Sequence, residues 1–477
     1  MNGNSVSQNN LNVQTSPELL SYIINVTPEL RDNIDLPVQG QSIAPIGKLI
    51  MNNNRYKNAF LNTVNLIGLT VITRNHWENP WKKFTDKGQL SYGQQVREII
   101  CDIANVYDYN DQLQYEDNFI KTEVPNVLSY LHTINYQKFY KTTTSDAQMA
   151  MAFEQGDLFS LVDQIVNSLY EGMEYDDYLV NKYMLARRIL DGTVTSVQIA
   201  DIENKTDRDV VAEMKGVSND LTFRSPNYNP AGLRKATSFE NQFAIISTKF
   251  DAKFSTNVLA TSYFRSDAEM KAQLELCDGF DNFDTGRLAQ IFAKRDANNE
   301  IIPDEYVDGY VPLTEEEITS LKSVIACIVG KDFFQDYYYG IDDASESTVK
   351  DFYNPQTLKR NHFLHKWGVI SSSPFENAVV FTTETPAVST VSVTPSAIST
   401  SKHANLQFFA DVETTGFANK AVKWSIEETG VSDNVHASIN SAGLLTIPAN
   451  YKGTSITVTA TSIYDDTKSG DATVTIV

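Results

Sequence analysis

Leu158, Leu161, Val162, Ile165, Val166 and Leu169 recur at i, i+3, i+4, i+7, i+8 and i+11, with Asp163, Gln164, Asn167 and Ser168 between them. This spacing gathers the apolar side chains on one stripe of a helix. It predicts a long helix with one buried face over Asp157–Asp191. Asp157, after Gly156, is a suitable N-cap, and Gly192 is a suitable left-handed stop. Gly172–Met173 is a place where it can bend.

The last ninety residues carry a different period. Leu406, Phe408, Ala410 and Val412 alternate with other side chains, as do Val422, Trp424 and Ile426, then Ile456, Val458 and Ala460, then Val474 and Ile476. A period of two places each set on one face of a strand. Residues 388–477 therefore read as a small all-β module, joined to the rest by Thr383–Pro386.

Between these regions the pattern is less regular. Residues 1–55 are polar and interrupted by Pro17, Pro28, Pro37 and Pro45, which reads as an extended arm with no core of its own. Tyr56–Leu66 has helical spacing and Leu69–Ile72 reads as a strand. Residues 76–144 show little sign of a compact core. Their first part is basic (Arg74 just before it, then Lys82, Lys83, Lys87), and their middle is acidic (Asp102, Asp108, Asp111, Glu116, Asp117). Two extended segments, Val96–Val106 and Val127–Tyr140, flank that centre. This predicts a long two-stranded excursion, which is marginal in water unless a partner surface holds it. Phe243–Ser247 reads as a strand, and Ser255–Tyr263 and Asp267–Glu275 as helices. Glu315–Val324 reads as a helix behind a capping box of Thr314 and Glu317, and Val324–Val329 either continues it or forms a buried strand. Residues 340–387 return to β character at Trp367–Ile370 and Ala378–Thr382.

With 477 residues, the chain is too long for one ordinary core. A hydrophobic share of 42% with 21% charged residues is ordinary for a folded protein. Charge changes the picture more: 39 basic against 60 acidic residues give −21. Such a chain lacks the basic surface that neutralises phosphates, so it can enclose nucleic acid but is not expected to grip it. Cys101, Cys277 and Cys327 are odd in number and far apart, which argues against a disulfide framework and a cysteine zinc site. The start is polar, and the apolar run Leu61–Ile72 is broken by Asn62, Thr63 and Asn65. Neither an export signal nor a membrane span of roughly 18–20 residues is expected.

No motif for chemistry stands out. GxxxxGK[ST], GxGxxG, HExxH and GxSxG are absent from the sequence, and Asp342–Asp343 and Asp465–Asp466 lack calcium-loop spacing. His362 and His365 would share a face on a helix, but no third ligand follows at a diagnostic distance. A partly exposed histidine pair near Trp367 is the better reading. His76 and His132 have no nucleophile partner legible in sequence. No catalytic residue, metal or cofactor is expected.

The order of parts resembles the HK-97-type fold of tailed-phage major capsid proteins. Local segments are similar to the major head proteins of small phi-29-like podoviruses: Asn65 to Ile72, the turn Asn79 to Phe84, Val124 to Val127, Trp367 to Ser371 and Phe375 to Phe381. In the module, Val391-x-Val393-x-Pro395, Val422-x-Trp424-Ser425, Gly443 to Thr446 and Ile456 to Ala460 follow the order of a BIG-type bacterial Ig-like domain. The resemblance implies an α+β fold. It divides the chain into an N-terminal arm and first helix (1–75), an E-loop hairpin (76–144), a P domain with its spine helix (145–225) and an A domain (226–340). Return strands and linker (341–387) and the Ig-like module (388–477) complete it. It implies a non-enzymatic subunit of an icosahedral virion shell, made in the host cytoplasm and assembled as pentamers and hexamers. Scaffolding and portal proteins are the expected partners, and the shell encloses double-stranded DNA without sequence-specific binding.

On that reading Trp77, Trp81 and Phe84 anchor the excursion on a neighbouring subunit, because aromatics dominate interface centres. Lys82, Lys83 and Lys87 face acidic patches next door, with Asp108 and Asp111 as their counterparts. Tyr337, Tyr338 and Tyr339 either line a further contact or pack in the subunit's own core. Leu158, Leu161, Val162, Ile165 and Leu169 hold the subunit rigid, and Trp424 anchors the module core. The module faces outward, bracing neighbours or holding host surface polymers. Some members of the wider fold family link a Lys to an Asn; nothing here identifies such a pair, and no cross-link is expected. Two other classes fit a single β module: a bacterial surface adhesin or glycan-binding protein, and a hydrolase with an accessory Ig-like domain. The first needs an export signal, the second a converging acid/base pair in a cleft.

Overall fold

The structure is a computed structural model. It describes residues 15–477 except 39, 61–62, 64–76, 92–93, 105–126, 133–134, 203, 206, 254–272, 298–299, 340–349 and 432–434. The predicted strand Leu69–Ile72, the predicted helix Ser255–Tyr263 and the site candidates Asp108 and Asp111 lie outside the described residues.

The N-terminal segment corrects the expectation of an extended arm. It forms helices α1 (Ser16–Val26), α2 (Pro28–Arg31) and α3 (Ala44–Asn52), followed by helical residues 54–60. Pro17, Pro28 and Pro45 all fall at the first or second position of a helix. There the missing N–H has no intrahelical partner to lose and the fixed φ suits the first turn. These prolines start helices where they were taken to break segments. Leu19, Leu20, Ile23, Ile24, Leu30 and Ile50 then pack on Phe153, Leu158 and Val162 in one core.

The expected long helix is present. α4 (Lys82–Thr85) is one turn, and α5 (Asp146–Gln155) opens on a Ser145/Gln148 capping box. α6 runs unbroken from Leu158 to Leu190, with Asp157 at its N-cap. Gly156 and Gly192 bracket it at φ +78° and +64°, conformations that an L side chain resists. Leu158, Val162, Ile165 and Leu169 are buried and Leu161 is packed against the same core. α7 (Asp207–Asp220), α8 (Thr285–Phe292) and α9 (Glu315–Ser320) follow, the last behind the expected Thr314/Glu317 box.

The body strands are β1 (Asp86–Leu90), β2 (Val96–Cys101), β3 (Val127–His132), β4 (Asn135–Ser145), β5 (Thr195–Gln198), β6 (Gln242–Ser247) and β7 (Leu274–Cys277). They continue as β8 (Ala293–Arg295), β9 (Ile301–Tyr306), β10 (Val324–Gly330), β11 (Phe334–Tyr339), β12 (Lys350–Asn354), β13 (Lys359–Ser372) and β14 (Ala378–Thr382). One five-stranded sheet runs β1-β11-β13-β12, with β4 on the other side of β13; a second runs β5-β14-β10-β6-β7. β10 is buried along its whole length, which explains its uninterrupted apolar run and settles the choice left open for Val324–Val329. β7 replaces the end of the helix expected over Asp267–Glu275, because pairing with β6 dictates its state. α6 lies against β4 and β13.

The C-terminal strands are β15 (Ala387–Thr394), β16 (Ala397–Thr400), β17 (Ala404–Gln407), β18 (Phe409–Thr415) and β19 (Val422–Thr429), then β20 (Ser438–Ile439), β21 (Leu444–Ile447), β22 (Ser455–Ser462) and β23 (Ser469–Ile476). They form sheets β15-β18, β16-β23-β22-β19 and β17-β21-β20. Phe408, Val412, Ile456, Val458, Ala460 and Val474 share one core. Trp424 packs against that core half-buried, so it covers the core's edge and does not sit at its centre. The fold is α+β, as the sequence implies.

The histidine pair is also corrected. His362 and His365 lie on a strand, three residues apart, and so on opposite faces. His362 is buried, not partly exposed; burial first and Arg360 second pull its pKa down to about 4. Among the described residues, no three His, Cys, Asp or Glu side chains gather to hold a metal ion.

Candidate inter-subunit surface

β2 and β3 pair antiparallel from Val96↔His132 to Cys101↔Val127. This hairpin is the part of the predicted excursion that lies among the described residues. Residues 86–90 and 135–145 at its two ends are strands of the body sheet, because β1 pairs with β11 and β4 with β13 along its entire length.

The hairpin has two unlike faces. Glu98, Tyr130 and His132 point at the body. His132 is buried and its Nδ1 lies 2.8 Å from the Ser371 hydroxyl, while Nε2 is 3.5 Å from Glu98 Oε2. The Tyr130 ring meets Phe375 edge-on at 6.5 Å. At the hairpin's end, the Arg234 N–H donates to Asp102 at 3.2 Å. Ser371, His132 and Glu98 are residue types that hydrolases align, but Ser371 and His132 are each 4% exposed beneath the hairpin. The His132–Ser371 hydrogen bond ties the base of the hairpin to β13.

The opposite face carries Arg97, Ile99 and Cys101 opposite Leu131 and Ser129. Ile99 is 61% exposed and Leu131 41%. On the same face Arg97 donates to the Ser129 hydroxyl at 3.1 Å, so two exposed apolar side chains sit beside a polar pair, on a two-stranded sheet that is marginal in water without a supporting surface.

A groove of about 1090 Å³ opens over the middle of α6, between β4 and α8. Trp77, Phe139, Tyr175 and Leu276 line it and are all well exposed. At its floor Arg287 donates two hydrogen bonds to Asp176, at 2.7 and 3.1 Å. Burial pushes the Asp176 carboxyl up despite this arginine.

Most residues expected at subunit contacts are committed within their own subunit. Trp81 is 0% exposed, packed against Tyr178 at 5.1 Å and Phe334 at 5.9 Å, with its indole N–H donated to the Leu276 carbonyl at 3.2 Å. Phe84 is buried beside Phe243 at 4.9 Å. Lys82 pairs with Glu174 at 2.6 Å, Lys83 with Glu275, and Lys87 with Asp332 at 3.0 Å. The turn Asn79–Phe84 caps the end of the body core: its aromatics Trp81 and Phe84 are buried, while Lys82 and Lys83 stay exposed and pair with the more buried carboxylates of Glu174 and Glu275 in their own subunit. Trp77 packs edge-on against Tyr178 at 6.0 Å and stays 43% exposed. Tyr338 is exposed, while Tyr337 and Tyr339 are half-buried, the Tyr339 hydroxyl donating to the Gln94 carbonyl at 2.8 Å. Sequence reasoning did not single out the exposed Ile99 and Leu131. Their alternation was legible; which face is covered was not.

Between α6 and the body sheet lies a buried charge cluster. Glu174, Asp177 and Asn181 on α6 meet Asp336 on β11 and Lys366 on β13. Burial pushes Asp177 up, to about 7; Lys366 pulls it back and Asp336 adds to the rise. Asp336 rises for the same reason. For Lys366 burial acts downward, but Asp177 and Asp336 overcome it and raise its pKa.

The profile of the Phi29-like phage major capsid protein family matches residues 22–382, ending just before β15. The major capsid protein of Bacillus phage PZA is 28% identical over 428 residues, covering 88% of this chain and 84% of its own. That of Bacillus phage B103 is 27% identical over 460 residues, covering 94% and 91%. Among solved structures, a chain of the Staphylococcus phage Andhra capsid is 13% identical, with a TM-score of 0.48 over 66% of this chain and 87% of that one.

Proposed function

From the premise that the chain belongs to the Phi29-like phage major capsid protein family, and is a structural subunit of the virion head shell, we propose that it joins its neighbours chiefly through the β2–β3 hairpin. The observation that carries this is the asymmetry of the hairpin: one face is anchored on the body by the buried His132, the other carries Ile99, 61% exposed, beside Leu131. The groove over α6, with its exposed Trp77, Phe139 and Tyr175, is the matching surface on an adjacent copy. Each contact is modest, but closure of the shell multiplies it, since every subunit meets several neighbours at once. The HK-97-type division into arm, excursion, spine-helix domain and mixed domain is the architecture this reading adopts. Pentamers and hexamers, a scaffolding protein and a portal complete it. The excess of acidic residues suits a container for DNA that does not bind its sequence.

Replacing both Ile99 and Leu131 with Asp tests the hairpin. We expect folded, soluble subunits with an unchanged melting temperature and no shells by electron microscopy. Shells at normal yield would remove the hairpin from the mechanism.

The C-terminal β unit is proposed to lie on the outside of the shell, as a BIG-type Ig-like domain that braces adjacent subunits or holds host surface polymers. Bracing is favoured by its contact with the body, described below. Heads assembled from a chain lacking residues 388–477 are expected to form but to fail at lower temperature than complete heads in a calorimetric scan. Equal transition temperatures would leave adhesion as its role.

A further inference from the structure

We infer that the C-terminal β unit is fixed to the body by its 416–420 loop, which seats on the C-terminal end of α6, so that the unit works as a strut and not as a tethered appendage. Neighbouring residues of this loop belong to two cores. Phe417 packs against the body core of Leu185, Ile189, Val194 and Val380. Ala418 belongs to the core of the β unit and is 0% exposed, and Asn419 is 1% exposed. Polar groups join across the same line. The Lys420 N–H donates to the Gly192 carbonyl at 2.7 Å, and the Asn419 amide reaches the Thr195 hydroxyl at 3.4 Å. A little further along, Gln198 donates to the Thr385 hydroxyl at 2.7 Å.

Two backbone features show that the seat is specific. Gly416 and Phe417 both have positive φ, +58° and +61°. A phenylalanine in the left-handed region is strained by about 1 kcal/mol or more and persists only where its surroundings hold it. The receiving surface is shaped for close approach. A Cβ at Gly192 would lie 2.7 Å from Lys420 Cγ and 2.9 Å from the Ala418 carbonyl oxygen. Gly192 thus serves two ends: it stops α6 and leaves room for the loop. The stop is legible in the sequence; the room is not.

The mechanical consequence rests on the shell reading above: a force applied to the β unit by a neighbour passes through Gly192 into the 33-residue helix α6, not into a flexible joint at 383–386. The seating itself does not depend on that reading, and it is tested on unassembled full-length subunits by hydrogen exchange with mass spectrometry. The amide of Lys420 is expected to exchange at least about a hundredfold more slowly than in an open loop. In Gly192→Ala the peptide covering 417–421 loses that protection while the amides of β22 keep theirs. Asn419→Ala, which leaves α6 untouched, weakens protection at the same peptide. Exchange of 417–421 at the open-loop rate in the unaltered chain, or protection that survives Gly192→Ala, overturns the proposal. A protected loop in subunits that never form shells would uphold the seat and sink the shell mechanism instead.

Discussion

Trp81→Ala is expected to lower the stability of the unassembled subunit by about 3–5 kcal/mol, the range for deleting a fully buried large aromatic. Trp81 is among the largest fully buried side chains and touches Tyr178, Phe84 and Phe334. Its indole N–H also donates to the Leu276 carbonyl, so the alanine leaves a cavity and removes one hydrogen bond. Urea unfolding of subunits before assembly measures the loss. Trp77→Ala is the control: half-exposed at the groove, it should cost the subunit about 1 kcal/mol or less. A Trp81→Ala subunit of normal stability that merely fails to assemble would return this residue to the interface, where sequence alone had placed it.

Lys366→Met is expected to destabilise the body by about 3–5 kcal/mol at pH 8, because it strands Asp177 and Asp336 as buried charges without their cation. The deficit should shrink as pH falls. Asp177 has its pKa raised in the folded state, from 3.8 to about 7. The folded protein therefore holds that proton more tightly than the unfolded chain, and stability from this group falls as pH rises from about 4 to about 7 and is flat above. Lys366, also raised, contributes stability that is complete below its ordinary pKa of 10.5 and is lost only above it. Removing the lysine takes away the charge that pulls Asp177 down, so the window of Asp177 moves upward. Urea unfolding at pH 5 and pH 8 should show a smaller Met-variant deficit at pH 5. An equal deficit at both would mean that the lost lysine packing, and not the stranded carboxylates, sets the cost.

The helix α6 and the strands of the C-terminal unit were legible because each shows a single unbroken period. Leu158 to Leu169 repeat at helical spacing, and Ile456 to Ala460 alternate. Local propensity and burial point the same way in these segments. The N-terminal helices were hidden because prolines at their starts have the same spelling as prolines between elements. What distinguishes them is the core formed by Phe153 and Leu158, more than a hundred residues on. β7 was hidden because its state follows from a neighbouring strand and not from its own pattern.

The sequence by itself determined the family resemblance, the α+β class, the long helix with its glycine boundaries, and the alternating C-terminal unit. All of these rest on signals within one segment or on the order of segments. Which aromatics and lysines are occupied inside their own subunit follows only from the three-dimensional packing. A Trp, Phe or Lys is spelled the same whether it anchors an interface or closes its own core. Trp81 and Phe84 are buried because Tyr178 and Phe334 converge on them from distant parts of the chain, and Lys82 and Lys83, though exposed, are paired by Glu174 and Glu275. Ile99 and Leu131 stay outside because His132 and Tyr130 fix the other face of their hairpin to the body. Exposure is set by contacts across long sequence separations, and a one-dimensional pattern does not contain them.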